Sequence, residues 1–209
     1  MANVSAFGLR PARKMGGNPE NSSTTRYPLQ LATGDGTGIA GLSASIFQGD
    51  MVIPLNTGLL GNSAADGGSV DLIGVFNGCE YIDLDGKPRF SNHWPGAASV
   101  KDDTDAWGFV YDDPMQIFEI ATDASITDRA TAYAATFANA EGASFASGTA
   151  STGISTGALA VSTIAETATD NFRIVGVKDD ANPDYTAAGV ILLVRLNLPA
   201  IEDATGINS

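Results

Sequence analysis

The chain has little of the residue types on which catalytic and metal sites most often depend. Its 209 residues include one cysteine, Cys79, and one histidine, His93. A single cysteine excludes an intrachain disulfide and a cysteine-rich metal cluster, and it favours a small buried side chain in a protein made in a reducing cytoplasm. A Ser–His–Asp site would have to use His93, and no Gly-x-Ser-x-Gly motif accompanies it. We therefore expect neither enzymatic activity nor a cofactor.

Long apolar runs and basic residues are also scarce. The longest uninterrupted apolar run, residues 187–194, is far shorter than the roughly 20 residues that a membrane-spanning helix needs. No apolar region follows the basic residues near the N-terminus, so the sequence predicts neither a secretory signal nor a membrane partner. The net charge of −13 disfavours nucleic acid as a partner of the body of the protein, because phosphates would be repelled.

The few basic residues are concentrated at one end of the chain. Residues 1–34 carry a net charge of +3, whereas the rest of the chain carries −16. This split predicts an extended basic arm over residues 1–34, which binds an acidic partner, and a β-rich body over residues 35–209. The body is expected to be a single domain, or else two small β subdomains. The cations of the arm are Arg10, Arg13, Lys14 and Arg26.

The residue types that are abundant favour β structure. Twenty-four glycines and many Ser and Thr residues separate short apolar runs. We expect a mainly β fold, a β-barrel or a β-sandwich, with the extended arm and at most one or two short helices. Residues 190–194 are apolar on both faces, which predicts a central strand. The predicted strands are residues 47–55 (two strands about a Gly49-Asp50 turn), 70–82 with a turn signal at Asn77-Gly78, 107–111, 116–122, 159–164, 172–177 and 189–198.

Two further segments differ from this pattern. Ser125 or Thr127 is expected to cap a short helix over residues 128–138, in which Tyr133 and Phe137 share one face. Ala, Ser, Thr and Gly dominate residues 140–157. Composition leaves two alternatives open for this tract: a flexible, solvated loop, or an excursion that becomes ordered only against a neighbouring subunit.

Acidic turns are the candidates for a metal ion. Residues 83–86 begin like a calcium loop, but no glutamate stands at the twelfth position of that loop. Aspartates also cluster at residues 102–105 and 112–113. We interpret these clusters as solvated turns, and the sequence predicts no metal site.

Several motifs resemble a group of small virion proteins of tailed bacteriophages. Ala2-Asn3 and the Phe-Gly-Leu-Arg-Pro-Ala-Arg run of residues 7–13 are similar to the opening of that group. Ala6 and Ala12 stand where the group usually has glycine and valine. Similar motifs follow in the same order at residues 46–52, 72–81, 94–95, 112–120 and 190–197.

The resemblance implies a capsid cement, or decoration, protein. Such proteins are β-rich and often oligomeric, and they stabilise an icosahedral head by bridging neighbouring capsid subunits on its outer surface. The implied partners are the major capsid protein and other copies of this chain, after synthesis in the host cytoplasm. Trp94 is a candidate interface aromatic residue. The residues expected to contact the capsid are Phe7, Leu9, Arg10, Arg13, Lys14 and Tyr27.

This hypothesis predicts that deletion of residues 1–26 leaves the body folded but unable to decorate heads. Three alternatives remain open. The chain could be another virion component, such as a tail or fibre protein, or a hydrolase that uses Cys79 or His93. It could also be a module that binds host-surface glycans, with Trp94, Trp107 and Tyr111 as its aromatic platform.

Overall fold

Two antiparallel β-sheets make up most of the molecule. A computed structural model describes residues 3–16, 23–63, 72–178 and 183–197. In chain order the strands are β1 (Arg10–Lys14), β2 (Thr25–Gln30), β3 (Ile46–Phe47), β4 (Met51–Pro54), β5 (Leu60–Asn62), β6 (Gly74–Ile82), β7 (Pro88–Ser91), β8 (His93–Trp94), β9 (Ala106–Tyr111), β10 (Gln116–Ala121), β11 (Asn139–Ala140), β12 (Gly142–Ala143), β13 (Gly148–Thr149), β14 (Ile154–Ser155), β15 (Ala158–Leu159), β16 (Phe172–Val177) and β17 (Ile191–Leu196). The helical elements are α1 (Arg129–Ala134) and two 3₁₀ turns, Ala97–Ser99 and Val161–Thr163.

Neither large sheet closes on itself among the described strands. Sheet A has the strand order β1-β10-β17-β16-β11, and sheet B has the order β2-β9-β6-β4-β5, with β7 also paired to β6. Small two-stranded sheets join β3 to β8, β12 to β15 and β13 to β14. The predicted mainly β fold with few helices is confirmed. The described strands form its sandwich-like version rather than a closed barrel.

Several strands lie where the sequence predicts them. β16 matches its predicted bounds, and β9 and β10 each agree within one residue. β17 lies between β10 and β16 in the middle of sheet A, as its apolar character predicts. Residues 70, 71 and 198, which belong to two other predicted strands, lie outside the described residues.

Two of three local predictions about strands are wrong. Asn77-Gly78 is not a turn but part of a bulge within β6, where the pairing with β9 shifts by one residue. Strands β3 and β4 flank the Gly49-Asp50 turn as predicted, and β3 pairs with β8. Residues 159–164 contain only the end of β15 and a 3₁₀ turn.

The helix is shorter than predicted and is capped by a different residue. Asp128 is the N-cap, since its carboxylate accepts a hydrogen bond from the Thr131 N–H at 2.8 Å. The chain has left the helix before Phe137, which adopts a φ of 73° and donates its N–H to the Ile174 carbonyl at 2.8 Å. Tyr133 and Phe137 therefore do not share a helix face.

The tract of residues 140–157 packs against the same chain, which neither alternative anticipated. The Gln48 N–H donates to the Gly153 carbonyl at 2.9 Å, and the Ser155 N–H donates to the Gln48 carbonyl at 3.0 Å. Phe145 is 5% exposed and belongs to the core. The many small residues let the tract lie close to its neighbours. Its order thus comes from contacts within one molecule.

Asp50 is the polar centre of this packing. Its carboxylate is fully buried and accepts hydrogen bonds from Ser155 Oγ at 2.5 Å, the Phe47 N–H at 2.8 Å and the Ala146 N–H at 3.3 Å. Burial raises the pKa of Asp50 to about 6, although these hydrogen bonds oppose the shift. The protein therefore buries a carboxylate whose charge depends on mildly acidic pH.

Two clusters of buried apolar side chains form the core. One lies under sheet A and includes Phe118, Leu192 and Phe172, together with Met51 and Val75 from sheet B. The other lies under sheet B, around residues such as Phe76, Trp94 and Val110. The first cluster contains residues of both sheets and so joins them.

Candidate functional site

The basic N-terminal segment is built into both sheets. β1 pairs with β10 at one edge of sheet A, and β2 pairs with β9 at one edge of sheet B. Just before β1, the Leu9 N–H donates to the Gly49 carbonyl and the Gly8 N–H to the Gly157 carbonyl, each at 2.9 Å. The described residues of the predicted arm are thus parts of the body, which corrects the expectation of an extended arm. Residues 1–2 and 17–22 of that arm lie outside the described residues.

Three of the four cations of this segment pair with acids of the same chain. The pairs are Arg10–Glu119 (2.5 Å), Lys14–Asp113 (2.6 Å) and Arg26–Glu80. The sequence predicts an acidic partner for these cations. In the structure, carboxylates of the body of the same chain pair with them. Arg13 is exposed and forms no ion pair with a described residue.

Two of the predicted contact residues are in the core instead. Leu9 is 3% exposed and packs in the cluster under sheet A. Trp94 is fully buried, with its Nε1–H donated to the Leu42 carbonyl at 2.9 Å and its ring edge-on to Tyr81. Both predictions are corrected, because neither side chain is accessible to a partner.

Tyr27 and Lys14 hold the two edge strands to the same connection. The Tyr27 hydroxyl donates to Asp112 at 2.8 Å, and Lys14 pairs with the adjacent Asp113. Burial, followed by the Asp112 carboxylate, raises the pKa of Tyr27 to about 12. The Asp112-Asp113 connection runs from β9 in sheet B to β10 in sheet A, so this cluster links the two sheets.

A groove of about 180 Å³ lies beside the start of β1. Phe7, Tyr111 and Ile154 contribute apolar walls, and Arg10 lies at the groove with its guanidinium carbon 4.7 Å from the centre of the Phe7 ring. Phe7 and Arg10, two of the residues that the sequence predicts to contact a partner, therefore lie next to each other at this groove.

Gly8 gives a first testable prediction about this segment. It adopts a φ of +71°, and a Cβ there would lie 2.6 Å from the Gly49 carbonyl oxygen and 2.8 Å from the Ser155 Cβ. We expect Gly8→Ala to lower the free energy of unfolding by about 2 kcal/mol or more. Urea unfolding followed by tryptophan fluorescence measures this. Gly16→Ala has a similar φ and open space around it, and should cost clearly less.

The outer face of sheet A gathers cations that are far apart in the sequence. Phe118, Ile174 and Val194 point into the core, so the residues that alternate with them point to the opposite face. Five cations lie on this outer face, and Glu119 is the carboxylate that pairs with two of them. The five are Arg10, Arg13, Arg173, Lys178 and Arg195.

Glu119 neutralises part of this charge. Its carboxylate pairs with Arg10 at 2.5 Å and with Lys178 at 3.0 Å. Burial opposes ionisation, but these two cations outweigh it and lower the pKa of Glu119. Arg13, Arg173 and Arg195 have no described carboxylate within 4.0 Å.

The resulting basic face is unusual for so acidic a chain. Five of the eleven cations of a protein with a net charge of −13 lie on one side of one sheet. Sequence reasoning placed Arg10 and Arg13 in the site but missed Arg173, Lys178 and Arg195. Their alternation with apolar residues in β16 and β17 was the available signal. The order β10-β17-β16, which brings these cations to one face with Arg10 and Arg13, could not be read from it.

Cys79 and His93 do not form a thiol–imidazole pair. The Cys79 thiol donates to the backbone carbonyl of His93 at 3.3 Å, and burial raises the pKa of Cys79 to about 12. The imidazole Nδ1 lies 3.2 Å from Ser91 Oγ, and the ring stacks on Phe47. The thiol is therefore a core group that stays protonated.

The aspartates of the acidic turns accept hydrogen bonds from backbone groups of the same chain, and Asp103 is the clearest case. Asp103 accepts hydrogen bonds from the N–H groups of Thr33, Gly34 and Gly36 at 2.6–3.0 Å, which lower its pKa. No group of three or more His, Cys, Asp or Glu residues in the described ranges could hold a metal ion. Within the same ranges, no helix has the length and apolar character needed to cross a membrane.

Comparison with protein-family models, curated proteins and solved structures found no match to this chain.

Proposed function

We propose that the chain is a structural protein of a tailed-phage virion. It binds the outer surface of the capsid and stabilises the head by bridging neighbouring major capsid subunits. The observation that carries this proposal is the basic outer face of sheet A. That face joins Arg10 and Arg13, two residues of the motif that resembles virion proteins, to three cations from the C-terminal third of the chain.

The charge distribution orients the protein on an acidic partner. The basic face attracts a negatively charged surface, whereas the rest of the molecule, which carries most of the 24 acids, repels it. Binding then occurs with sheet A toward the head and the acidic surface toward solvent. Many copies on a capsid lattice add their modest individual affinities if neighbouring copies associate.

The structure changes how the N-terminal motif contributes to binding. A disordered arm loses conformational entropy when it binds, whereas β1 is already ordered on β10 before any partner is present. The groove beside Phe7 and the exposed Arg13 are likewise preformed. Binding therefore needs little rearrangement of this surface.

A sedimentation experiment tests the proposed function. Purified protein is mixed with capsids of the encoding phage from which this protein has been stripped, and pelleted protein is quantified. We expect saturable binding with copy numbers comparable to the number of capsid subunits or capsomers. Arg13→Glu is expected to weaken binding about tenfold at low salt and less at high salt, since salt screens surface charges.

Lys101→Glu is the matched control, because it makes the same charge change at an exposed side chain of the sheet B region. It should bind as the wild type does. No binding of the wild type at low salt would contradict the proposed function. A copy number of a dozen or fewer per particle would favour the tail or fibre alternative instead.

The glycan-binding alternative is weakened by the positions of its three aromatic residues. Trp94 is buried, and the Arg26 guanidinium lies 4.3 Å from the centre of the Trp107 ring. Tyr111 packs edge-on against Phe118. These three rings therefore form no common exposed platform.

A further inference from the structure

Arg173 and Arg195 form a like-charged pair on the outer face of sheet A. They lie directly opposite each other on β16 and β17. Directly opposed residues in an antiparallel sheet have Cβ atoms about 5 Å apart, and like charges at this position are destabilising. Neither guanidinium has a described carboxylate within 4.0 Å to offset this repulsion. The described residues therefore leave the positive charge of this pair without an ion-pairing carboxylate.

Asn139, which lies opposite Arg173 on β11, holds the guanidinium of Arg173 in place. Its Nε–H donates to Asn139 Oδ1 at 2.5 Å, and Asn139 is 4% exposed. Asn139 is fixed in turn, since its Nδ2–H donates to the Thr167 carbonyl at 2.7 Å and its Oδ1 also accepts from Asn197 at 3.0 Å. A guanidinium has five N–H donors. Asn139 takes one of them, and the two terminal nitrogens donate no hydrogen bond to another described residue.

The cationic row continues across the sheet to its open edge. The register aligns Arg173, Arg195, Ile117 and Arg13 in one line across β16, β17, β10 and β1. Neighbouring strands are about 4.8 Å apart, so the row spans roughly 14 Å from Arg173 to Arg13. Ile117 lies between Arg13 and Arg195 in this row and is buried. This is expected where long side chains such as arginine cover an apolar residue.

We propose that Arg173 and Arg195, continued by Arg13, are a carboxylate-binding row for an acidic surface segment of a protein partner. The planar fork of a guanidinium matches a carboxylate in two parallel hydrogen bonds, which a lysine ammonium does not reproduce. The identity of that partner as the capsid subunit rests on the proposed function. The row itself rests on the register of sheet A and on the Asn139 contact.

A protein carboxylate fits this row better than a nucleic acid does. Duplex DNA carries one charge per roughly 1.7 Å along its axis and extends far beyond a 14 Å row. Its flanking phosphates would face the acidic remainder of a chain of net charge −13. A short acidic segment confines its charge to the length of the row.

The test uses a fluorescently labelled peptide of ten glutamates, and binding to the full chain is measured by anisotropy at low salt. We expect Arg173→Gln/Arg195→Gln to lose at least tenfold in affinity. The matched control is Lys87→Gln/Lys101→Gln, which removes the same charge from exposed side chains that form no ion pair with a described residue. It should stay within about twofold of the wild type.

A second variant separates guanidinium geometry from charge and also guards against misfolding. Arg173→Lys/Arg195→Lys keeps the net charge, and we expect it to lose about three- to tenfold because the forked hydrogen bonds are gone. Thermal unfolding of every variant confirms that it is folded. Wild-type affinity in the lysine variant would overturn the carboxylate row. Equal losses in the glutamine variant and its matched control would do so as well.

The remaining outcomes distinguish this inference from the proposed function. Failure of the wild type to bind the peptide, or tighter binding of a ten-nucleotide oligo-dT, overturns the carboxylate row. Normal capsid binding by the glutamine variant overturns the capsid as the partner of the row while leaving the proposed function intact. If the wild type binds the peptide selectively but does not bind capsids, the row is supported and the capsid is overturned as its partner.

Discussion

Leu9→Ala is expected to lower the free energy of unfolding by about 3 kcal/mol, within the roughly 2–5 kcal/mol typical of buried leucines. Leu9 is 3% exposed and packs in the core cluster under sheet A, next to the start of β1. Its truncation leaves a cavity and loosens the point at which the N-terminal segment enters the body. Urea unfolding followed by far-UV circular dichroism measures the loss.

Met15→Ala is the matched control for Leu9→Ala. Met15 belongs to the same segment but is 46% exposed, so its truncation should cost less than about 0.5 kcal/mol. If both variants were equally stable, the segment would behave as the separate arm that composition predicts. Deletion of residues 1–26 would then leave a folded body.

We now expect that deletion to disrupt the body. It removes β1 and part of β2 from the sheet edges and takes Leu9 from the core. It also removes Asn3, whose Nδ2–H donates to the Asp184 and Ala188 carbonyls at 2.7 and 2.9 Å. A truncated protein that fails to bind heads would therefore say nothing about the contact surface. Point substitutions on the basic face are the sharper test.

The stability that Asp50 contributes is expected to fall as pH rises from about 4 to about 6. The folded state binds a proton at Asp50 more tightly than the unfolded state, because its pKa is about 6 when folded and 3.8 when exposed. The free energy of folding that this proton binding contributes is therefore present at low pH and absent above the pKa of Asp50 in the folded state. Between pH 4.5 and 7.5 this amounts to about 2 kcal/mol.

Asp50→Asn isolates this contribution from other titrating groups. The amide cannot accept all three hydrogen bonds, so we expect the variant to be less stable than the wild type at acidic pH. The difference in unfolding free energy between the two proteins should shrink by about 2 kcal/mol from pH 4.5 to 7.5. Asp85→Asn, which makes the same substitution at an exposed turn, is the matched control. A pH-independent difference for Asp50→Asn would contradict the assignment.

The sequence predicted the type of fold because strand signals are local. β9, β10 and β16 are short apolar runs bounded by turn residues, and β17 lacks polar positions facing solvent over residues 190–194, which predicts a central place. The helix cap was missed because Ser125, Thr127 and Asp128 are all capable caps. Only the packing of the segment selects one of them.

The sequence predicted only part of the site, because charge composition does not specify which partner the charges bind. An excess of cations in residues 1–34 indicated an acidic partner. It did not indicate that most of these cations form ion pairs with Glu119, Asp113 and Glu80 of the same chain. Conversely, the alternation of Arg173 and Arg195 with apolar residues indicates one face of each strand but not a site. These two residues form one row with Arg13 only through the order of strands in sheet A.

That strand order has a consequence for how the protein is made. β17 is the central strand of sheet A, and β10, the partner of β1, lies directly beside it. Contacts between residues so far apart in sequence form slowly. The ribosome must therefore release residue 196 before sheet A can close. Until then the apolar face of β10 lacks its neighbour β17, and apolar surface that stays exposed during folding favours aggregation.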